Sequence, residues 1–83
     1  MTQSLKIVAR IVASSGRADE LEAEMRILVE ETRKEPGCIQ YDLHRGTENP
    51  EIFIFVEEWE TRALWQDHMA GEAMRSFLSL IHI

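Results

Sequence analysis

Histidine changes charge near neutrality, so a histidine on an apolar helical face is a natural proton acceptor. His68 has that setting: it follows Leu64 by one helical turn, on the side expected to meet a sheet. The same position also suits a core histidine whose ring nitrogens are merely satisfied, and both readings stay open. Glu57 is the second candidate for proton transfer. Alternation puts Phe53, Phe55, Glu57 and Trp59 on one face of a strand and Ile52, Ile54, Val56 and Glu58 on the other. A carboxylate set among aromatic rings would have its pKa raised by burial, which suits proton transfer or the orienting of a nearby histidine. Pairing with Arg10 or Arg45 across the sheet is the competing reading for Glu57.

Three aromatic side chains could hold a flat ring against these groups. Tyr41 could give a hydrogen bond to a substrate oxygen, while Trp59 and Phe55 could wall the pocket; packing alone would also explain all three. His44 has the opposite strand parity from Tyr41, so the two do not share a pocket. Trp65 is expected to point toward a partner subunit, and Met25 and Met69 to fill the core. The histidines and Cys38 lack metal-ligand spacing and the acids form no calcium loop, so no metal is expected. No glycine-rich phosphate cradle is present. Nor does any local pattern set a base beside Ser14, Ser15 or Cys38, as a nucleophile would need.

The elements that must position these residues fit in 83 residues, enough for one small domain with a marginal core, so self-association is expected. The chain is 45% hydrophobic and 29% charged, the balance of a folded protein. Acidic residues outnumber basic ones by 15 to 9, for a formal charge of -6, which removes nucleic acid and anionic membranes from the expected partners. Cys38 has no cysteine to pair with, and the N-terminal run is broken by Lys6 and Arg10, so neither a signal peptide nor a membrane span is read. A cytoplasmic protein is the expectation.

Leu5 to Ala13 reads as a strand with Lys6 and Arg10 on its polar face. Ser14-Ser15-Gly16 supplies turn and cap chemistry, and a helix begins near Arg17. Its apolar positions Ala18, Leu21, Met25, Leu28, Val29 and Thr32 step by three or four, and it ends at Pro36-Gly37. Cys38 to Arg45 and Glu51 to Trp59 read as a hairpin about the connector Gly46-Thr47-Glu48-Asn49-Pro50. Thr61 is set to cap a second helix carrying Leu64, His68 and Met69, interrupted at Gly71 and resuming from Glu72 to Phe77. The fold class is therefore α+β: a ferredoxin-like βαββα(β) domain with an antiparallel sheet, its last strand missing.

The run Glu35-Pro36-Gly37-Cys38-Ile39-Gln40-Tyr41-Asp42-Leu43, then Phe53-Ile54-Phe55-Val56-Glu57-Glu58-Trp59, then His68, resembles the antibiotic biosynthesis monooxygenase family, especially its quinol monooxygenase-like branch. The ordered set Pro-Gly-Cys-x-x-Tyr, Glu-x-Trp and Trp-x8-His carries the likeness, which spans Leu5 to Phe77. The resemblance implies a homodimer joined through its sheets as a dimeric α+β barrel. It also implies oxidation of a small quinol or polyphenol by O2 with no cofactor, and the residues read above would then serve with His68 or Glu57 as base and Tyr41, Trp59 and Phe55 placing the ring. Haem-degrading relatives carry an asparagine on the first strand and a tryptophan at the position of His68. Here Ala9 stands near the first of these, so haem is not expected. A binding or stress-response protein of the same fold without turnover is the alternative from another class. An isomerase of a small phosphorylated signalling molecule would want a basic cradle, which this acidic chain does not advertise.

The domain is thus read as residues 1–77. The run Leu78 to Ile83 spells what a transposase sequencing adapter encodes in frame, and 78–83 is expected to be a non-native tail in place of the last strand, with His82 outside every functional argument.

Overall fold

The computed structural model describes residues 3–81, so positions 1–2 and 82–83, the end of the expected tail, lie outside the described residues. Strand β1 (Leu5–Val12) leads into helix α1 (Ala18–Thr32), then β2 (Cys38–Arg45), β3 (Ile52–Trp59), α2 (Arg62–Met69) and α3 (Glu72–Ile81). The strands form one antiparallel sheet in the order β1-β3-β2. This is the ferredoxin-like α+β plan. Each strand matches its expected span to within a residue, because each alternates between a face the helices cover and one they do not.

Register follows from that alternation. Glu57 of β3 lies between Ile7 of β1 and Tyr41 of β2, and Phe55 lies between Ala9 and Leu43. A bulge between Cys38 and Gln40 brings Tyr41 onto the covered face with Glu57. The covered face meets Met25, Leu28 and Val29 of α1 and Met74 and Phe77 of α3, and these with Phe53, Phe55, Tyr41 and Trp59 make the core. On the other face Val8 and Val12 are 71% and 55% exposed, opposite Val56 and Ile52 of the next strand.

The helix ends depart from expectation in two places. Ser14 and Ser15 do not cap α1: its N-cap is Arg17, which makes no side-chain cap bond. The serines instead form a turn closed by Arg17 N–H on Ser14 O (2.9 Å), with Gly16 at φ 79°. Asp19 and Glu20 occupy the first turn, where bare N–H groups favour negative charge. Beyond Gly71, α3 does not stop at Phe77 but runs through Leu78 to Ile81. A helix satisfies its backbone internally, whereas an extended segment there would need a strand edge to pair with. No fourth strand occurs among the described residues.

One sequence expectation for a side chain also changes. Met69 is not core: it is 45% exposed, because neighbouring helical residues point about 100° apart and His68 takes the inward direction. Trp65 packs, half-buried, against the chain's own core.

Candidate active site

The inward row of β3 supplies Phe55, Glu57 and Trp59, all buried, and β2 adds Tyr41 opposite Glu57. Helix α2 then delivers His68. Thr61 caps that helix by accepting from Leu64 N–H (3.1 Å), and His68 follows one turn after Leu64. What lets α2 come this close is Gly37. Its φ of 82° is a left-handed value that suits glycine, and a Cβ there would lie 2.9 Å from Leu64 Cβ. The β3 end is tied to the same loop by Glu60 N–H on Gly37 O (2.8 Å).

His68 is buried to 2% and stacks on Trp59, with ring centroids 4.7 Å apart. Tyr41 meets the imidazole edge-on at 5.4 Å, and stands 5.1 Å from Phe55 and 6.4 Å from Trp59. The Trp59 indole Nε1–H donates to Glu57 Oε1 at 2.9 Å. His68 Nδ1 lies 3.0 Å from Glu35 Oε1, while His68 Nε2 and Thr32 Oγ1 are buried without a hydrogen-bond partner. The five residues singled out from sequence therefore converge on one cluster. His44, as its parity implied, is on the uncovered face and exposed.

Neither arginine offered as a partner for Glu57 reaches it. Arg45 is engaged by Asp19 and Glu22 at 2.9 and 2.8 Å, and Arg10 is on the uncovered face. Burial accordingly pushes the Glu57 carboxyl above its ordinary value, with the Trp59 hydrogen bond, and His68 when it carries a proton, pulling it partway back. Burial, then the Glu57 charge, drives the Tyr41 phenol far above its ordinary value, so Tyr41 acts as a donor and not as a base. Burial, then the charges of Glu35 and Glu57, also raises the Cys38 thiol, which leaves it a poor nucleophile.

Glu35 and Thr32 are the members that sequence reasoning passed over. Thr32 was read only as a position on the apolar face of α1. Glu35 had a signal, a carboxylate just before the Pro36-Gly37 helix exit, but its partner lies 33 residues away. An open hollow of about 370 Å³ reaches Glu35 and His68 from outside, walled by Pro36, Leu64 and Ala73 and edged by Glu31, Asp67 and Glu72. A second hollow of about 360 Å³ lies between α1 and α3, against Glu24, Ile27 and Ser76, and touches none of the aromatic cluster.

The family model for antibiotic biosynthesis monooxygenase matches residues 4–79. A crystal structure of an antibiotic biosynthesis monooxygenase superposes with a TM-score of 0.88 at 35% identity, covering 95% of this chain and 82% of that one. The protein PA3566 from Pseudomonas aeruginosa superposes with a TM-score of 0.85 at 38% identity, over 96% and 78% of the two chains. An uncharacterised Synechocystis protein, sll1783, is 26% identical over 72 residues, which are 87% of this chain and 49% of that protein. The chain thus spans about half the length of this curated relative.

Proposed function

Since the chain belongs to the antibiotic biosynthesis monooxygenase family, we propose that it oxidises a small quinol or polyphenol with O2, using no cofactor and His68 as base. The observation that carries the reading is a histidine buried among aromatic rings with one nitrogen held by a carboxylate and the other, Nε2, unpartnered. An orphaned buried nitrogen is costly, and a substrate hydroxyl that displaces the packing around it would both satisfy it and lose a proton to it.

The chemistry needs little more from the protein. Nε2 takes the hydroxyl proton, and the electron-rich phenolate passes one electron to O2. The resulting radical pair joins through a new C–O bond. The peroxide anion so formed takes back the proton held on Nε2, and the resulting hydroperoxide breaks its O–O bond and loses water with the hydrogen of the same carbon, leaving a quinone carbonyl with one oxygen atom of O2 in the product and the other in water. Trp59 and Phe55 offer faces for a flat ring, and the Tyr41 phenol can donate to the oxygen that gathers charge. Glu57, raised by burial, stands beside Trp59 as the alternative base. The hollow over His68 speaks against a phosphorylated substrate, since among the described residues lining it there is no lysine or arginine.

The proposal includes a homodimer joined through the uncovered sheet face, where Val8 and Val12 present an apolar surface in a domain too small to bury much by itself. The test is O2 consumption by protein whose sedimentation shows two chains, supplied with a panel of hydroquinones and anthrols. Uptake should depend on substrate and fall by roughly 10²–10⁴-fold in His68→Ala, the usual worth of a positioned base. A smaller fall is expected in Glu57→Gln, and the reverse order would make Glu57 the base. A folded two-chain protein that consumes no O2 with any of these substrates would sink the oxygenase reading. Sedimentation as one chain would remove the dimer.

A further inference from the structure

We infer that Glu35 is a positioning residue, which fixes the hydrogen of neutral His68 on Nδ1 and so leaves the lone pair of Nε2 facing the interior. The inference rests on the reading of His68 as the base. An ionised carboxylate can only accept, so the hydrogen shared across the 3.0 Å contact sits on Nδ1. In a neutral ring the other nitrogen is then an acceptor, and Nε2 is the one buried with no protein donor against it. A proton acceptor in the wrong tautomer presents N–H where a lone pair is needed, so the choice of tautomer decides whether His68 can act at all.

The backbone is built to hold Glu35 in place. Its own N–H donates to Thr32 O (2.9 Å), and the Cys38 N–H donates to its carbonyl (3.3 Å), so the residue is tied on both sides. The missing side chain of Gly37 allows α2 to settle against this loop, which sets the imidazole within reach. Glu35 is 24% exposed while the His68 side chain is fully covered, and both residues border the hollow. Once Nε2 has taken a proton, Glu35 is also the carboxylate bonded to the new cation. Glu31, Asp67 and Glu72 share the hollow, and Glu57 and Tyr41 face the ring from the sheet. Several of these groups titrate, so a pH optimum would mix their contributions, whereas the tautomer of one ring reports on Glu35 directly.

The experiment reads the ring nitrogens of His68 by ¹⁵N NMR in the wild type, Glu35→Ala and Glu35→Asp, each checked for a cooperative melt, with steady-state kinetics on the same samples. The wild type should carry hydrogen on Nδ1. Glu35→Ala should populate both tautomers and lose about 10- to 100-fold in kcat with little change in KM, a fraction of the full worth of the base. Glu35→Asp, which keeps the carboxylate on a shorter reach, should recover part of both. A wild-type ring protonated on Nε2, a tautomer unchanged in both variants, or a shifted tautomer with kcat intact would each overturn the inference. If the wild type oxidises nothing while the tautomer still follows Glu35, the hold on His68 stands and only the oxygenase reading falls.

Discussion

The two ends of the sheet hold carboxylates in opposite ways. Near the β2–β3 turn, the Arg45 guanidinium donates to Asp19, Glu22 and the Pro50 carbonyl while lying 5.3 Å over the Phe53 ring. Glu22, hydrogen-bonded first by Arg45 and then by Arg26, is held below the usual carboxylate range. At the other end Glu57 meets an indole N–H and no guanidinium, and burial pushes it up. The difference lies in solvent and counter-charge, not in residue type: a half-buried glutamate with two arginines is stabilised as an anion, whereas a buried one with a neutral donor is not. One end is a clasp joining β2 to α1. The other keeps its polar groups incompletely paired inside the core, an arrangement that costs stability and suits proton transfer.

That contrast predicts unequal costs of mutation, largest at the aromatic end. Trp59 is fully buried, stacks on His68 and supplies the hydrogen bond that Glu57 accepts. Trp59→Ala should lose about 3–5 kcal/mol of unfolding free energy, the usual range for emptying a buried tryptophan site, as read by urea denaturation. Trp59→Phe keeps most of the volume but removes the indole donor, and should recover much of the loss. A Trp59→Ala loss of about 0.5 kcal/mol or less, the range of ordinary surface changes, would mean that the packing of this cluster does not hold the domain together.

Much of this cluster was legible from residues alone, for a physical reason. Period-2 alternation places Phe53, Phe55, Glu57 and Trp59 on one face whatever the strand pairs with, and a one-turn step from Leu64 carries His68 to the same side. Contacts that depend on how elements approach one another were not legible. The pairing of His68 with Glu35 needs α2 to settle on the Gly37 loop, which no periodicity encodes. Arg45 was a reasonable partner for Glu57 by strand parity, yet it lies four residues along β2 from Tyr41, which pairs with Glu57, and leans instead onto α1. Met69 failed because a short helix can turn only one of two adjacent residues inward. The run after Phe77 carries no periodicity long enough to show that it continues α3, where its backbone is satisfied as helix.

The next effect is smaller and has the opposite sign. A carboxyl whose pKa is higher folded than unfolded contributes stability that is whole below the unfolded value, and that is lost as pH rises through the folded one. Glu57, raised above its ordinary 4.5, is such a group, so near neutrality its charge works against folding. Glu57→Gln removes that charge and keeps an oxygen to accept from Trp59. Its melting temperature should exceed that of the wild type at about pH 8, and the gap should shrink as pH falls toward about 4. A gap that instead widened in acid would put Glu57 in the same class as Glu22, and the contrast between the two ends would fail.

The smallest effect is expected at the clasp. Arg45→Met retains a stem of similar length over Phe53 and removes the charge shared by Asp19 and Glu22. Both carboxylates can return to water: Asp19 is almost wholly exposed and Glu22 keeps its bond to Arg26 (2.7 Å), so no buried anion is stranded. The pair with Asp19, whose side chain is 95% exposed, is also screened by salt, whereas the packing around Trp59 is not. Arg45→Met should therefore shift the melting temperature less than either change at the aromatic end, and the shift should shrink further in about 1 M salt, where the screening length falls to about 3 Å. A large, salt-independent loss would mean that the guanidinium holds α1 to the sheet through packing on Phe53 and its bond to the Pro50 carbonyl, making this end as much a part of the core as the other.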